Sequence, residues 1–559
     1  MSGPFALRVA LLLSIFSANA LAQSDDNLLR LRRQSDASYQ RRDFATAEKQ
    51  LQQLIAVSPV DGRLWYKYAL VQFRLNNDSL GLRALQNAYK LGGSVRASNA
   101  FDIARVFARR HNADSTVFWL DRALADGFVE RERIRSDKFF SEVLPKSEMA
   151  RLTATEKVPT ERNAGWLYDL HFLEREVNRL YPSAARPSSV KMFQQSLHEF
   201  EGRISKLSDE ATVAGFQRLL VTLGNGHTSV LPLPTATLPI RVLPIRVYDF
   251  DDGVWITGAD GANASLIGAR LVQIGTLKIA EVMKRLAPLS AGDNAMSRRL
   301  FAAQILPYEL FLSEIGAAES GKPIVLRIVM RDGAERTVSL NAAPSAAPPS
   351  FGLPPVDVRT SSTPLWLRSP DKAYWLHSLA ADSTLYVGYQ AARDDSLERL
   401  ELFAERVRDS LRTGRFRNAV IDVRQNRGGD NRLNGPLVRA LIAFSGANEN
   451  NHLFVLAGRG TFSAGQNFVN QLERYARPIF VGEATGSAPN FAGEDANIVL
   501  PYSRLTVTIA SRWFQDSDPW DAREAIEPQL PVMVFGTDYF AGRDPVMERV
   551  LRVIQERSY

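Results

Sequence analysis

The sequence predicts a multidomain protein made of an all-α repeat array, a helical region joined to a β-rich domain, and a C-terminal α/β domain. Three observations carry this. From Asp26 to about Leu144 the apolar positions follow the helical period with few prolines. Between Pro239 and Leu340 they switch to alternating, β-branched runs such as Ile240 to Val247 and Ile324 to Met330, with Asp251-Asp252-Gly253 and Asp332-Gly333 as turn signals. From Phe351 to Tyr559 short apolar runs alternate with amphipathic stretches, the pattern of strands covered by helices.

Taken in order, residues 1–22 read as an export signal: Arg8 supplies a positive charge, Val9 to Ala18 is mostly apolar, and Ala20-Leu21-Ala22 offers small residues before a mature start near Gln23. The apolar stretch is about half of the ~20 residues a membrane span needs, and no later stretch reaches that length, so no integral membrane segment is expected after cleavage. An exported chain without cysteine suits a bacterial periplasm. Residues 26–144 contain a repeat in which Ala47, Leu51, Leu54 and Pro59 recur in type as Gly81, Leu85, Ala88 and Gly93, with a looser copy at Leu120 and Ala123. The spacings of 34 and 35 residues resemble those of tetratricopeptide helix pairs, which implies either a surface for a partner protein or a structural cap.

Residues 164–235 show helical spacing and end in a glycine-rich loop holding His227. Residues 239–341 form the β-rich domain, interrupted by a helical stretch from Pro288 to Glu314. Five prolines between Ala342 and Pro355 mark a linker, and residues 351–559 form the α/β domain, with strands expected at Leu385–Tyr389, Ala419–Val423, Leu453–Ala457 and Pro478–Val481.

Composition removes several chemistries. With no cysteine there is no thiolate nucleophile and no cysteine-based zinc site, and six histidines leave few candidate bases. The charge of +7, from 68 basic and 61 acidic residues, contains no run of five like charges, so nucleic acid is not an expected partner. No His-Glu-x-x-His pair, calcium loop or phosphate-binding glycine loop occurs, so no metal or cofactor is expected.

Three loops concentrate the remaining chemistry. Ile421-Asp422-Val423-Arg424 runs into Gln425-Asn426-Arg427-Gly428-Gly429-Asp430, where a glycine pair after a buried strand can turn backbone N–H groups into a pocket. Gly460-Thr461-Phe462-Ser463-Ala464-Gly465 places Ser463 at the start of a helix, as either a nucleophile favoured by the helix N-terminus or an ordinary cap. Leu223-Gly224-Asn225-Gly226-His227-Thr228 supplies a histidine. A serine, a histidine and a donor loop are the components of acyl transfer.

Together with Val481-Gly482-Glu483-Ala484-Thr485-Gly486, these motifs resemble the tail-specific/tricorn class of serine peptidases over about Trp166 to Gln555. The resemblance implies a ClpP/crotonase-type catalytic domain, a PDZ-like domain within residues 239–341, and a protein or peptide substrate. It further implies Ser463 as nucleophile, His227 as general base, and Gly428 or Gly429 with Ala464 as oxyanion donors. The serine–lysine arrangement of the tail-specific branch is excluded, because the last lysine of the chain is Lys372 and position 488 is alanine. A carboxylate between Ser511 and Pro528 is expected to orient His227, with Asp521 or Glu524 favoured over Asp516 and Asp518. Gly226 stands where the tricorn-like branch has a serine, leaving Thr228 or a water as substitutes. That departure opens an alternative, a catalytically inactive peptidase fold that binds peptides or partner proteins.

Overall fold

The computed structural model describes residues 27–28, 30–92, 96–153, 158–231, 240–344, 363–379 and 383–557. The export signal at 1–22 and the linker beyond Pro344 as far as Pro355 lie outside the described residues. Two units result, residues 1–157 and 158–559.

In the first unit the helices Phe44–Val57, Gly62–Arg74, Asp78–Leu91, Arg96–Arg109 and Ala113–Ala125 follow one another, each amphipathic. Asp43, Asp61 and Asn112 accept backbone N–H groups at three of the helix starts. The repeat positions Ala47, Leu51, Leu54, Leu85, Ala88, Leu120 and Ala123 are buried. Gly81 is small for a reason of packing: a Cβ there would lie 2.5 Å from the Phe73 ring.

The second unit is organised by a six-stranded sheet in the order Tyr374–Leu379, Thr384–Tyr389, Asn418–Asp422, His452–Ala457, Ile479–Gly482 and Leu530–Pro531. Its first pair is antiparallel and the others are parallel, with Gly388, Asp422, Leu456 and Val481 in register. Ala419, Val420 and Ile421 are fully buried because both faces are covered. On one face Val387, Ile421 and Val455 pack with Phe403, Leu437 and Phe468 of the helices Leu400–Arg412, Gly435–Ala447 and Ala464–Tyr475. On the other, Tyr386, Val420, Phe454 and Val481 meet Val546, Val550 and Ile554 of Pro545–Arg557.

Two further sheets flank this core. Asn490–Val499 and Thr506–Gln515 form a long hairpin, and Ser229–Leu231, directly after the histidine loop, pairs with it at Ser229 opposite Thr508. The carboxylate of Asp169, on the helix Arg162–Leu180, accepts the N–H groups of Tyr502 and Ser503 at 2.8 Å each and so fixes the hairpin tip. The expected β-rich region is an antiparallel sheet of Ile245–Phe250, Gly253–Ala259, Arg270–Ile274, Ile324–Val329 and Glu335–Leu340, with Leu277–Lys278 beside it. Its entry and exit pair at Arg241 opposite Pro344, so it is an insertion, and proline is tolerated there at an edge. Sequence periodicity did not reveal the short strand Tyr374–Leu379 or the hairpin 490–515, whose outer half carries Glu494, Asp495 and Asn497.

Candidate active site

The loops that follow Asp422, Ala457 and Gly482 all leave the carboxyl edge of the parallel strands, where α/β sheets place reactive groups. Ser463 lies six residues beyond Ala457 and heads the helix Ala464–Tyr475 at φ 55°, ψ −123°. A β-carbon is disfavoured at positive φ by about 1–3 kcal/mol, and such backbone persists only where the surroundings enforce it. Ser463 holds the N-cap position, but its side chain makes no capping bond.

The surroundings that enforce it come from the donor loop. Phe462 N–H donates to the Asn426 carbonyl at 3.0 Å, joining the two loops directly beside the serine. Gly428, at φ 115°, backs against it so closely that a Cβ would stand 2.7 Å from Ser463 Cβ and 3.1 Å from Ala464 N. The Gly428 N–H is itself committed to the Asn426 side-chain oxygen at 3.0 Å, which removes Gly428 from the expected oxyanion donors and leaves Gly429 and Ala464. Deeper in the loop, Thr461 Oγ1 donates to the Val423 carbonyl at 2.9 Å.

Arg459, only 2% exposed, ties this loop to its neighbours. Its Nε reaches both oxygens of Glu483 at 3.1 Å, and Nη1 donates to the Asp249 carbonyl at 2.6 Å on the inserted sheet. Arg299, from the helix Ala295–Ile305, bonds the carboxylates of Asp249 and Asp251 at 2.7 and 2.8 Å. The inserted domain is thereby connected by buried charge to the loop that presents Ser463.

His227 is 7% exposed, and its ring stacks on Phe462 at 4.4 Å between centroids and on Phe491 at 5.8 Å. Burial pulls its pKa down to about 4, with the Ala492 backbone favouring the imidazolium and Arg427 opposing it. Neither ring nitrogen completes a hydrogen bond among the described residues. The expected orienting carboxylates are elsewhere: Asp521 is bonded to Ser517 and Arg523, and Glu524 is exposed. Asp516 is occupied by the Asn467 side chain, and Asp518 contributes its backbone carbonyl to Asn490. Arg523 and Ser517 satisfy the Asp521 carboxylate locally, and Glu524 faces solvent.

The glycine preceding the histidine has a steric reason. A Cβ on Gly226 would lie 2.6 Å from the Phe462 ring, so the serine of the tricorn-like pattern has no room here. Thr228 does not replace it, because its hydroxyl accepts Ala510 N–H at 2.9 Å and anchors the hairpin. Instead Gly226 N–H donates to Asp293 at 2.8 Å. Burial raises Asp293 to a pKa of about 6, against the lowering effects of Gly226 N–H and Ser487. Sequence reasoning passed over Asp293, Arg459 and Phe491; the only local signal was the turn Gly292-Asp293-Asn294 inside the helical stretch.

No family model and no curated protein matches the sequence. Among solved structures, mature CPAF complexed with lactacystin matches with a TM-score of 0.52 and 13% identity, over 71% of this chain and 98% of that one. Mature CPAF alone gives 0.51 and 13%, over 70% and 96%. The photosystem II D1 C-terminal processing protease gives 0.31 and 15%, over 67% and 93%. The chain therefore has the fold of mature CPAF, and the resemblance of its motifs to the tail-specific/tricorn class fits that fold.

Proposed function

We propose that this chain is an exported serine peptidase that cleaves proteins or peptides through an acyl-enzyme. Ser463 attacks the scissile carbonyl, His227 takes its proton and returns it to the leaving amine, and the N–H groups of Gly429 and Ala464 receive the oxyanion. The observation that carries this reading is the uncapped, positive-φ serine at a helix start with a glycine loop pressed against it. A buried imidazole that stays neutral at pH 7 is in the right protonation state for a base. On this reading the inserted sheet is a PDZ-like peptide-binding domain, the helical array is tetratricopeptide-like and offers a surface for a partner, and the protein works in the periplasm without cofactor.

Labelling of the purified full chain with a fluorophosphonate, followed by peptide mapping, tests the chemistry. An adduct on Ser463 that disappears in Ser463→Ala and is suppressed in His227→Ala is the expected result. A second reading, a peptidase fold that binds peptides without turnover, draws on the His227 ring nitrogens, which meet no hydrogen-bond partner and no carboxylate among the described residues. It expects no adduct on Ser463 and unaltered peptide binding in Ser463→Ala.

A further inference from the structure

The helical stretch of the inserted domain enters the site itself. Ser290, Ala291, Asp293 and Asn294 are all at most 9% exposed, although they belong to a connection between strands of a different sheet. Leu289 offers its carbonyl to Gln217 Nε2 at 2.8 Å, and the same Gln217 accepts Val230 N–H at 2.8 Å, three residues past the histidine. Asn294 Nδ2 donates to two carbonyls, Thr485 at 2.9 Å and Glu524 at 2.7 Å, while its Oδ1 caps the helix Ala295–Ile305 by accepting Ser297 N–H at 3.0 Å. Between these anchors Asp293 presents its carboxylate to Gly226 N–H at 2.8 Å, one residue before His227. Six residues after Asp293 the same segment reaches Arg299, which holds Asp249 and Asp251, and the Asp249 carbonyl in turn receives Arg459 of the nucleophile loop.

A general base works only if its ring is held within a fraction of an ångström of the proton it takes. The His227 ring nitrogens complete no hydrogen bond among the described residues, so the ring's place is set by two aromatic faces, by the Ala492 backbone beside it and by the backbone of its own loop. That backbone is fixed on the Gly226 side by a charge-assisted bond, a stronger and more directional tie than a neutral one. Its donor is the N–H of the residue before the histidine, and its acceptor belongs to the segment that also braces the nucleophile loop; the histidine's own N–H donates to Asn225 Oδ1 at 3.0 Å.

We infer that Asp293 is a positioning residue for the reaction, its carboxylate setting the His227 loop relative to Ser463 through the Gly226 N–H. This rests on the reading of Ser463 and His227 as nucleophile and base. The inserted domain then supplies part of the catalytic geometry as well as any surface for substrate.

The test uses the full chain with Asp293→Ala, which removes the acceptor, and Asp293→Asn, which keeps an oxygen in the Oδ1 position. Two readouts are taken below the melting temperature of both variants: the rate of Ser463 acylation by the fluorophosphonate, and the NMR titration of His227 in histidine-labelled protein, assigned with His227→Gln. Asp293→Ala is expected to slow acylation by about a hundredfold, the scale of a 1 Å misplacement. It is also expected to shift the His227 resonance, its midpoint rising toward the solvated value. Asp293→Asn should restore both most of the way. Wild-type acylation and an unmoved His227 resonance in Asp293→Ala, with only the melting temperature lowered, would overturn the inference and leave Asp293 a fold-holding residue. A wild-type chain that acquires no adduct on Ser463 refutes the peptidase reading instead, and the reaction role inferred for Asp293 with it; the NMR arm then shows separately whether Asp293 sets the His227 loop.

Discussion

The two halves of the candidate site are held in different ways. The Ser463 loop is enforced from several sides: Phe462 N–H on Asn426, Thr461 on Val423, Arg459 on Glu483 and Asp249, and Gly428 against the serine. The histidine loop has its backbone anchored by Asn225 and Asp293, and its ring, whose nitrogens complete no hydrogen bond among the described residues, is held chiefly by stacking on Phe462 and Phe491. One half is therefore pre-organised to a strained geometry, and the other is placed by an element from outside the α/β domain. Rigidity at the serine costs strain that the buried charge and hydrogen bonds offset, whereas the imidazole has traded solvation for aromatic contact and responds to whatever moves its loop.

The largest expected effect breaks the rigid half. Removing one partner of a buried ion pair costs about 3–5 kcal/mol, so Arg459→Met, which leaves the largely buried Glu483 without this partner, should lower the unfolding free energy of the second unit by that amount, read as a fall in its denaturant midpoint at unchanged slope. The array, a separate unit, should unfold at its wild-type midpoint.

The histidine half should show itself through pH. Its folded pKa of about 4 lies below the ordinary 6.5, so between those values the unfolded chain binds the proton first and stability falls as the pH is lowered. The full difference is about 3 kcal/mol, present above pH 6.5 and lost by pH 4. Asp293, raised to about 6, titrates in the opposite sense, which is why the measurement compares wild type with His227→Gln across that range: the Asp293 contribution cancels, and the stability of wild type relative to the variant should rise by about 3 kcal/mol from pH 4 to pH 6.5. On the peptidase reading the acid limb of acylation then lies well below pH 6.5.

A smaller, sharper test is Gly428→Ala. The added methyl meets Ser463 Cβ at 2.7 Å and demands positive φ of a residue with a β-carbon, so acylation should fall by about a hundredfold while the fold loses about 1–3 kcal/mol. Equal acylation in this variant would mean that the donor loop is not part of the reacting geometry.

Much of this was legible in the chain itself. The helical period of residues 26–144, the turn signals at Asp251-Asp252-Gly253 and Asp332-Gly333, and the helix beginning at Ala464 are local properties, because burial on one face forces a matching period into the sequence. The serine, histidine and glycine-pair loops were visible because each needs particular residue types at adjacent positions. The surroundings of the histidine ring were not: Asp521 and Glu524 lie at a plausible place in the order, but Arg523 and Ser517 satisfy Asp521 locally, Glu524 faces solvent, and no carboxylate bonds the ring among the described residues.

The sequence by itself determined the elements, the order of the loops, and the exclusion of a lysine base after Ser463. Only the tertiary structure decided that the Ser463 side chain makes no capping bond, that Gly428 spends its N–H on Asn426, that Phe462 fills the space where a serine would precede His227, and that Asp293 reaches Gly226 across 67 residues. The reason is physical: period and turn chemistry are set by neighbours along the chain, whereas the partner of a buried polar group is whichever donor or acceptor the packing brings within 3 Å, and no local pattern encodes that choice.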